Sequence, residues 1–143
     1  MADAWSLVGR DEDGARRRSD ELGALNGVYP ASKVALARWV RRRAVTDDWI
    51  GAGIRLNAVA PGMIDTAMTA EGRADPTMAP LLDMFPIPLG RPGRPEEIAA
   101  LIAFLLGPEA RFFCGSIVFA DGGTDALLRA DDWPAPKPPW LGR

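Results

Sequence analysis

Apolar residues recur along the chain first with a helical and then with an extended period, and each change of period marks an element. Over residues 30–46, Val34, Leu36, Ala37, Trp39, Val40 and Ala44 fall at helical spacing with the arginines largely on the other side, which predicts a helix. Gly51-Ala52-Gly53 breaks the chain, and residues 54–60 read as a short, mostly apolar strand that stops at Pro61-Gly62. Helix, glycine turn and buried strand make half of a parallel βαβ unit, so the fold class is α/β. A second helix is signposted by Pro95 at its first position, with Glu96 and Glu97 complementing the positive end of its dipole. Its apolar run over 98–106 ends at Gly107-Pro108, and such continuous hydrophobicity predicts burial on more than one side, as at a subunit contact. Residues 115–120 read as another buried strand, closed by Asp121-Gly122-Gly123.

Between these elements the pattern lapses. Residues 67–91 are dense in Met, Pro and Gly, with Met68, Met78, Met84 and Phe85 as the larger apolar side chains. A connection of that length is usually a lid, a binding loop or a disordered piece, and flexible methionines suit a surface that moulds to an apolar substrate. They fit a loose local core equally well. Residues 1–28 are charged and alanine-rich, an exposed helical or irregular lead-in that turns at Asn26-Gly27. Residues 130–143 form a tail with Trp133, Trp140 and four prolines, read as an extended arm on a neighbouring surface or as disorder.

Composition narrows the possibilities. At 143 residues and 48% hydrophobic content the chain is long enough for one globular domain with a real core. A net charge of −2 and a pI near 5.1 give no global attraction to nucleic acid or acidic membranes. The runs Arg16-Arg17-Arg18 and Arg41-Arg42-Arg43 read as solvated faces rather than anion patches. Cys114, the single cysteine, excludes an internal disulfide, suits a reducing compartment and reads as a small buried hydrophobe among Phe112, Phe113, Ile117 and Val118. With no histidine, Ser-His and Cys-His catalysis are excluded and a zinc site is not expected. No uncharged run is long enough to span a bilayer and no signal peptide is visible, so a cytoplasmic protein is expected, with neither nucleic acid nor membrane as partner.

The candidate chemistry lies in Tyr29-Pro30-Ala31-Ser32-Lys33. Side chains four residues apart share a helical face, so the Lys33 ammonium can stabilise a Tyr29 phenolate and make the phenol a general acid/base. Proline belongs in a first helical turn, which sets the helix start at about Tyr29 or Pro30. Alone, these five residues fit an ordinary amphipathic helix better. Pro61-Gly62-Met63-Ile64-Asp65-Thr66 lies beyond the carboxyl end of a strand, where open α/β sheets bind ligands. There Gly62 allows close backbone approach and Thr66 offers a hydroxyl or a helix N-cap; a plain β-turn fits equally.

Taken together, Tyr29-Pro-Ala-Ser-Lys33, Ile54-Arg-Leu-Asn57-Ala-Val-Ala-Pro61-Gly62, Gly90-Arg-Pro-Gly93-Arg-Pro95-Glu-Glu-Ile98-Ala, and Gly115 followed by Asp121-Gly122-Gly123 resemble the short-chain dehydrogenase/reductases in order and spacing. The resemblance runs over residues 28–129 and is narrower toward the 3α-hydroxysteroid dehydrogenase/carbonyl reductase subset. It implies the C-terminal portion of a doubly wound fold, a partial Rossmann-type parallel sheet over 29–129, and an oxidoreductase using NAD or NADP on an apolar secondary alcohol or ketone. It implies Tyr29 as catalytic acid/base and Lys33 as its partner and ribose ligand. Pro61, Gly62, Ile64 and Thr66 would hold the nicotinamide carboxamide and nearby phosphate, with Met68, Met84 and Phe85 as substrate lid. A homo-oligomer is implied for the full-length enzyme. The family's glycine-rich turn and substrate-binding serine have no counterpart here: Gly23, Gly27 and Gly51 lack the spacing, and Ser6 and Ser19 read as surface residues. The chain is therefore expected to be the C-terminal half of such an enzyme and inactive alone, with a non-catalytic dimerisation module as the alternative.

Overall fold

The computed structural model describes Gly14, Arg17 and residues 28–132. The expected turn at Asn26-Gly27, Ser6, Ser19, Trp133 and Trp140 lie outside the described residues. The elements run α1 (Val28–Arg43), a π-helical turn (Asp47–Gly51), β1 (Ala58–Pro61), α2 (Ala67–Ala74), α3 (Ala79–Asp83), α4 (Pro95–Leu106), a 3-10 turn (Pro108–Ala110), β2 (Ile117–Ala120) and α5 (Thr124–Leu128). β1 and β2 pair in a two-stranded sheet. The pairing is parallel, because the Ala58 N–H bonds the Ser116 carbonyl and the Gly62 N–H bonds the Ala120 carbonyl, so both strands ascend together. The fold is α/β, as the periodicity implied.

The chain divides into two compact units. The first, reaching Ala58 and including Glu109–Ile117, is built on α1. Val40 and Ala44 are buried on this helix, whereas Val34, Leu36 and Trp39 are exposed, so the expected apolar face is only partly used. The helix end packs against Gly115, where an added Cβ would lie 3.3 Å from the Ala44 Cβ, and the Cys114 Sγ donates to the Ala44 carbonyl at 3.3 Å. Cys114 is thus half-buried rather than a core hydrophobe. Trp39 and Trp49 meet edge to face at 5.8 Å.

Both strands are shorter than their apolar runs. The Ile54 N–H bonds Trp49 across the π-helical turn and is lost to any ladder. Asn57 then replaces a backbone rung with its side chain: Nδ2 donates to the Phe113 carbonyl at 3.1 Å, and Oδ1 accepts from the Ser116 N–H at 3.0 Å. Arg55 Nη1 similarly donates to the Ala110 carbonyl at 2.6 Å. Gly115 has φ of 72°, a left-handed conformation that cannot continue a strand. Extended pairing therefore starts only at Ala58 and Ile117.

The second unit comprises Val59–Pro108 and Val118 onward. Here the segment over 67–91 departs from expectation, because it contains α2 and α3 rather than a structureless lid. Thr66 caps α2: its Oγ1 accepts from the Thr69 N–H, while the Thr69 hydroxyl accepts from the Thr66 N–H at 2.8 Å. Asp75 Oδ1 accepts from the N–H groups of Thr77 and Met78 and turns the chain into α3. Residues 86–89 are tied to the end of β2, with Leu89 N–H bonding the Gly122 carbonyl and Thr124 Oγ1 donating to Pro86. α4 begins at Pro95 as expected, yet only Leu105 on it is buried, and Ile102 and Leu106 face solvent. The burial on several sides that its hydrophobicity implied is not realised among the described residues. The core is correspondingly small: among the described residues no large side chain is fully buried, and Ala31, Val40, Ala44, Leu105, Ala110, Gly115 and Thr124 make up the buried set.

Candidate functional site

Two groups of site residues take shape, one in each unit. In the first, Pro30 lies in the first turn of α1, and Ser32 Oγ donates to the Tyr29 carbonyl at 2.7 Å, satisfying an acceptor at the helix start. Tyr29 and Lys33 stack one turn apart, with the Lys33 Nζ 5.1 Å from the centre of the Tyr29 ring. Tyr29 is 68% exposed, so its hydroxyl is open to a ligand. The helical geometry thus brings phenol and ammonium together as their spacing predicted.

In the second unit, Pro61, Gly62, Ile64 and Thr66 form one continuous corner after β1, and each has a structural occupation. A Cβ on Gly62 would lie 2.6 Å from the Asp121 Cα, so the close approach this glycine permits is to Asp121. Ile64 forms a parallel bridge with Gly93, and its Cδ1 occupies the space a Cβ there would need, at 2.8 Å. The Asp65 N–H bonds the Gly93 carbonyl at 2.8 Å, and the Gly93 N–H bonds Met63 at 2.9 Å. Thr66 is exposed and caps α2. Phe85 joins Pro61 and Gly62 in the lining of a cavity of about 210 Å³, together with Phe119, Asp121 and Arg129. Met68 and Met84, 80% and 73% exposed, do not line it.

Two polar groups that the sequence marks only as a helix-start acid and a strand-end turn, Glu97 and Asp121, shape this corner. Asp121 accepts from the N–H groups of Gly123 and Asp125 at 2.9 and 2.7 Å, fixing the turn against which Gly62 packs. Glu97 receives both Arg91 guanidinium nitrogens, at 2.9 and 2.7 Å, and the Arg94 N–H at 2.7 Å. The hydrogen bond from Arg91, followed by that from Arg94, lowers the Glu97 carboxyl from 4.5 to about 2. The same hydrogen bond raises Arg91 above its ordinary value. An Asp before a double glycine, and a Glu two residues past a helix-opening proline, are the signals that could have found them. Among the described residues no group of three or more acidic or cysteine side chains could hold a metal ion. No described helix is long and apolar enough to cross a membrane.

A family model described as enoyl-(acyl carrier protein) reductase matches residues 14–125. The 3-alpha-hydroxysteroid dehydrogenase/carbonyl reductase of Comamonas testosteroni is 38% identical over 128 residues, 88% of this chain and 49% of that protein. Galactitol 2-dehydrogenase (L-tagatose-forming) of Cereibacter sphaeroides is 44% identical over 113 residues, 71% of this chain and 43% of that protein. Among solved structures, the 3-alpha-hydroxysteroid dehydrogenase from Pseudomonas sp. B-0831 complexed with NADH is 42% identical, with a TM-score of 0.80 over 91% of this chain and 50% of that one. The chain spans about half the length of the relatives it matches. A match over most of the sequence, and a solved relative that superposes on nine-tenths of the structure, make the sheet part of a Rossmann-type fold and leave one assignment: the chain belongs to the short-chain dehydrogenase/reductase family.

Proposed function

We propose that the protein serves an oxidoreductase that moves a hydride between NAD or NADP and an apolar secondary alcohol or ketone, with Tyr29 exchanging the proton at the substrate oxygen. The observation that carries this is the exposed phenol of Tyr29 with the Lys33 ammonium 5.1 Å from its ring. Taken separately, each unit carries groups of the kind the nicotinamide end of the cofactor takes: in the first an ammonium with three donors, in the second an exposed hydroxyl on Thr66 and a glycine corner at the end of a parallel strand. When bound, the cofactor supplies the hydride. Lys33 orients the ribose and sets a positive charge beside the Tyr29 ring, while Pro61, Gly62, Ile64 and Thr66 hold the carboxamide and adjacent phosphate. Phe85, on the cavity beside Pro61 and Gly62, contacts the apolar part of the substrate, with the exposed Met68 and Met84 as its outer lid. Hydroxysteroid-like substrates are supported by the name of the Comamonas relative, and NADH by its presence in the Pseudomonas one.

The test measures ketone-dependent oxidation of NADH and NADPH at 340 nm. Because the chain spans half of its relatives, the assay uses it both as it stands and joined to the remaining half of the Comamonas protein. We expect turnover in the joined protein that Tyr29→Phe lowers by roughly 10²–10⁴-fold while cofactor affinity changes little. Turnover that survives Tyr29→Phe, or no ketone reduction by the joined protein with either cofactor, overturns the reading.

A further inference from the structure

The corner over 61–66 does not hold itself in place. Beyond the sheet and the bonds that its Ile64 and Thr66 carbonyls accept from Thr69 and Ala70 of α2, its backbone pairs, among the described residues, with Gly93. Gly93 sits in a turn, residues 90–94, that begins with a left-handed Gly90 and runs through Pro92. That turn is closed from outside by Glu97, which has Arg94 Nε at 3.8 Å and is doubly bonded by the Arg91 guanidinium, whose Nη1 also donates to its neighbour's carbonyl, that of Pro92, at 2.9 Å. Glu97 simultaneously accepts the Arg94 N–H, and its Oε2 lies 4.0 Å from where a Gly93 Cβ would project. Arg91 and Glu97 therefore grip the turn on both sides of Gly93. A two-pronged guanidinium–carboxylate bond fixes an orientation as well as a distance, which a single-contact lysine pair does not.

We propose that Arg91 and Glu97 are positioning residues for the Met63–Asp65 backbone, holding Gly93 where it pairs with that stretch and so setting the corner that faces the nicotinamide. The link to the nicotinamide rests on the function proposed above; the grip on the backbone does not. Arg91→Ala is the informative change, because it removes the pair while leaving Glu97 to cap α4 through the Arg94 N–H.

The experiment is residue-resolved amide exchange on the cofactor-free chain, followed by NADH titration of the joined protein by fluorescence. In Arg91→Ala, exchange at the Asp65 and Gly93 N–H groups should rise by roughly tenfold, while Ala58 and Gly115, bonded to Ser116 and Leu56, stay unchanged. Arg91→Lys, which keeps a charge opposite Glu97 but not the two-pronged bond, should fall between the parent and Arg91→Ala. NADH affinity should weaken several-fold in Arg91→Ala without a matching loss of thermal stability. Unchanged exchange at Asp65 and Gly93, or an equal rise at all four amides, overturns the proposal. If the unmodified joined protein binds neither NADH nor NADPH, the nicotinamide function falls, and the exchange pattern still decides whether the pair grips the corner.

Discussion

Gly62 is held to glycine by a neighbour rather than by its own dihedral angles. A side chain there would meet the Asp121 Cα at 2.6 Å and the Asp121 carbonyl at 2.9 Å, both backbone atoms that cannot turn aside. Gly62→Ala should therefore cost about 1–3 kcal/mol of stability in urea denaturation, the usual penalty for overpacking. Gly72, inside α2, makes the contrast: an added Cβ meets only the Leu82 Cδ1, at 3.0 Å, the far end of a rotatable side chain. Gly72→Ala removes a helix-interior glycine and should leave stability unchanged or raise it by about 0.5–1 kcal/mol. A result with both signs reversed would mean that ligand-facing space, not Asp121, sets the requirement at Gly62. The sequence made Gly62 visible as a glycine after a strand but could not show what crowds it, since Asp121 is distant along the chain. Tyr29 and Lys33 were legible because their meeting depends on helical spacing alone, which is local.

At the scale of elements the same division holds. The bounds of α4 were readable, since Pro95, two acidic residues and Gly107-Pro108 are all local start and stop signals, though its burial was not. α2 and α3 were not, because their stretch has no clear apolar stripe and the start signal at Thr66 is answered by Thr69 rather than by a glutamate. That cap is testable: Thr66→Ala should cost about 0.5–2 kcal/mol in denaturation and lose helical circular dichroism. If it instead weakens cofactor binding with no loss of helix, Thr66 serves the ligand and not α2. The start of α4 carries a pH dependence. Glu97 titrates near 2 when folded against 4.5 ordinarily, so it binds its proton less readily in the folded state. Its contribution is complete above about pH 4.5 and disappears as the pH falls toward 2. The difference in urea midpoint between the parent and Glu97→Gln should accordingly shrink across that window, and shrink further in high salt, because both partners are exposed. A difference that stays constant from pH 6 to pH 2 would show that the ion pair does not form in solution.

For the molecule as a whole, hydrophobic patterning states which positions favour burial but not whether the described residues supply the surface to bury them. A parallel sheet is ordinarily covered on both faces, and here it consists of two four-residue strands. Leu106, 78% exposed at the end of α4, and Phe112, fully exposed beside the 3-10 turn, are the clearest cases of apolar side chains left in water. Each belongs to a segment whose sequence read as interior. Exposed apolar surface on this scale is a driving force for association, because every such side chain buried between molecules gains about 1.5–3 kcal/mol. Sedimentation velocity on the purified chain should therefore show a mean mass that rises with concentration, accompanied by binding of an apolar dye such as ANS. Leu106→Lys combined with Phe112→Lys should lower both without altering the exchange protection of Asp65 or Gly93, whose hydrogen bonds are remote in sequence from the changed residues. A chain that stays monomeric and dye-free across the accessible concentrations would overturn the reading that this apolar surface drives association.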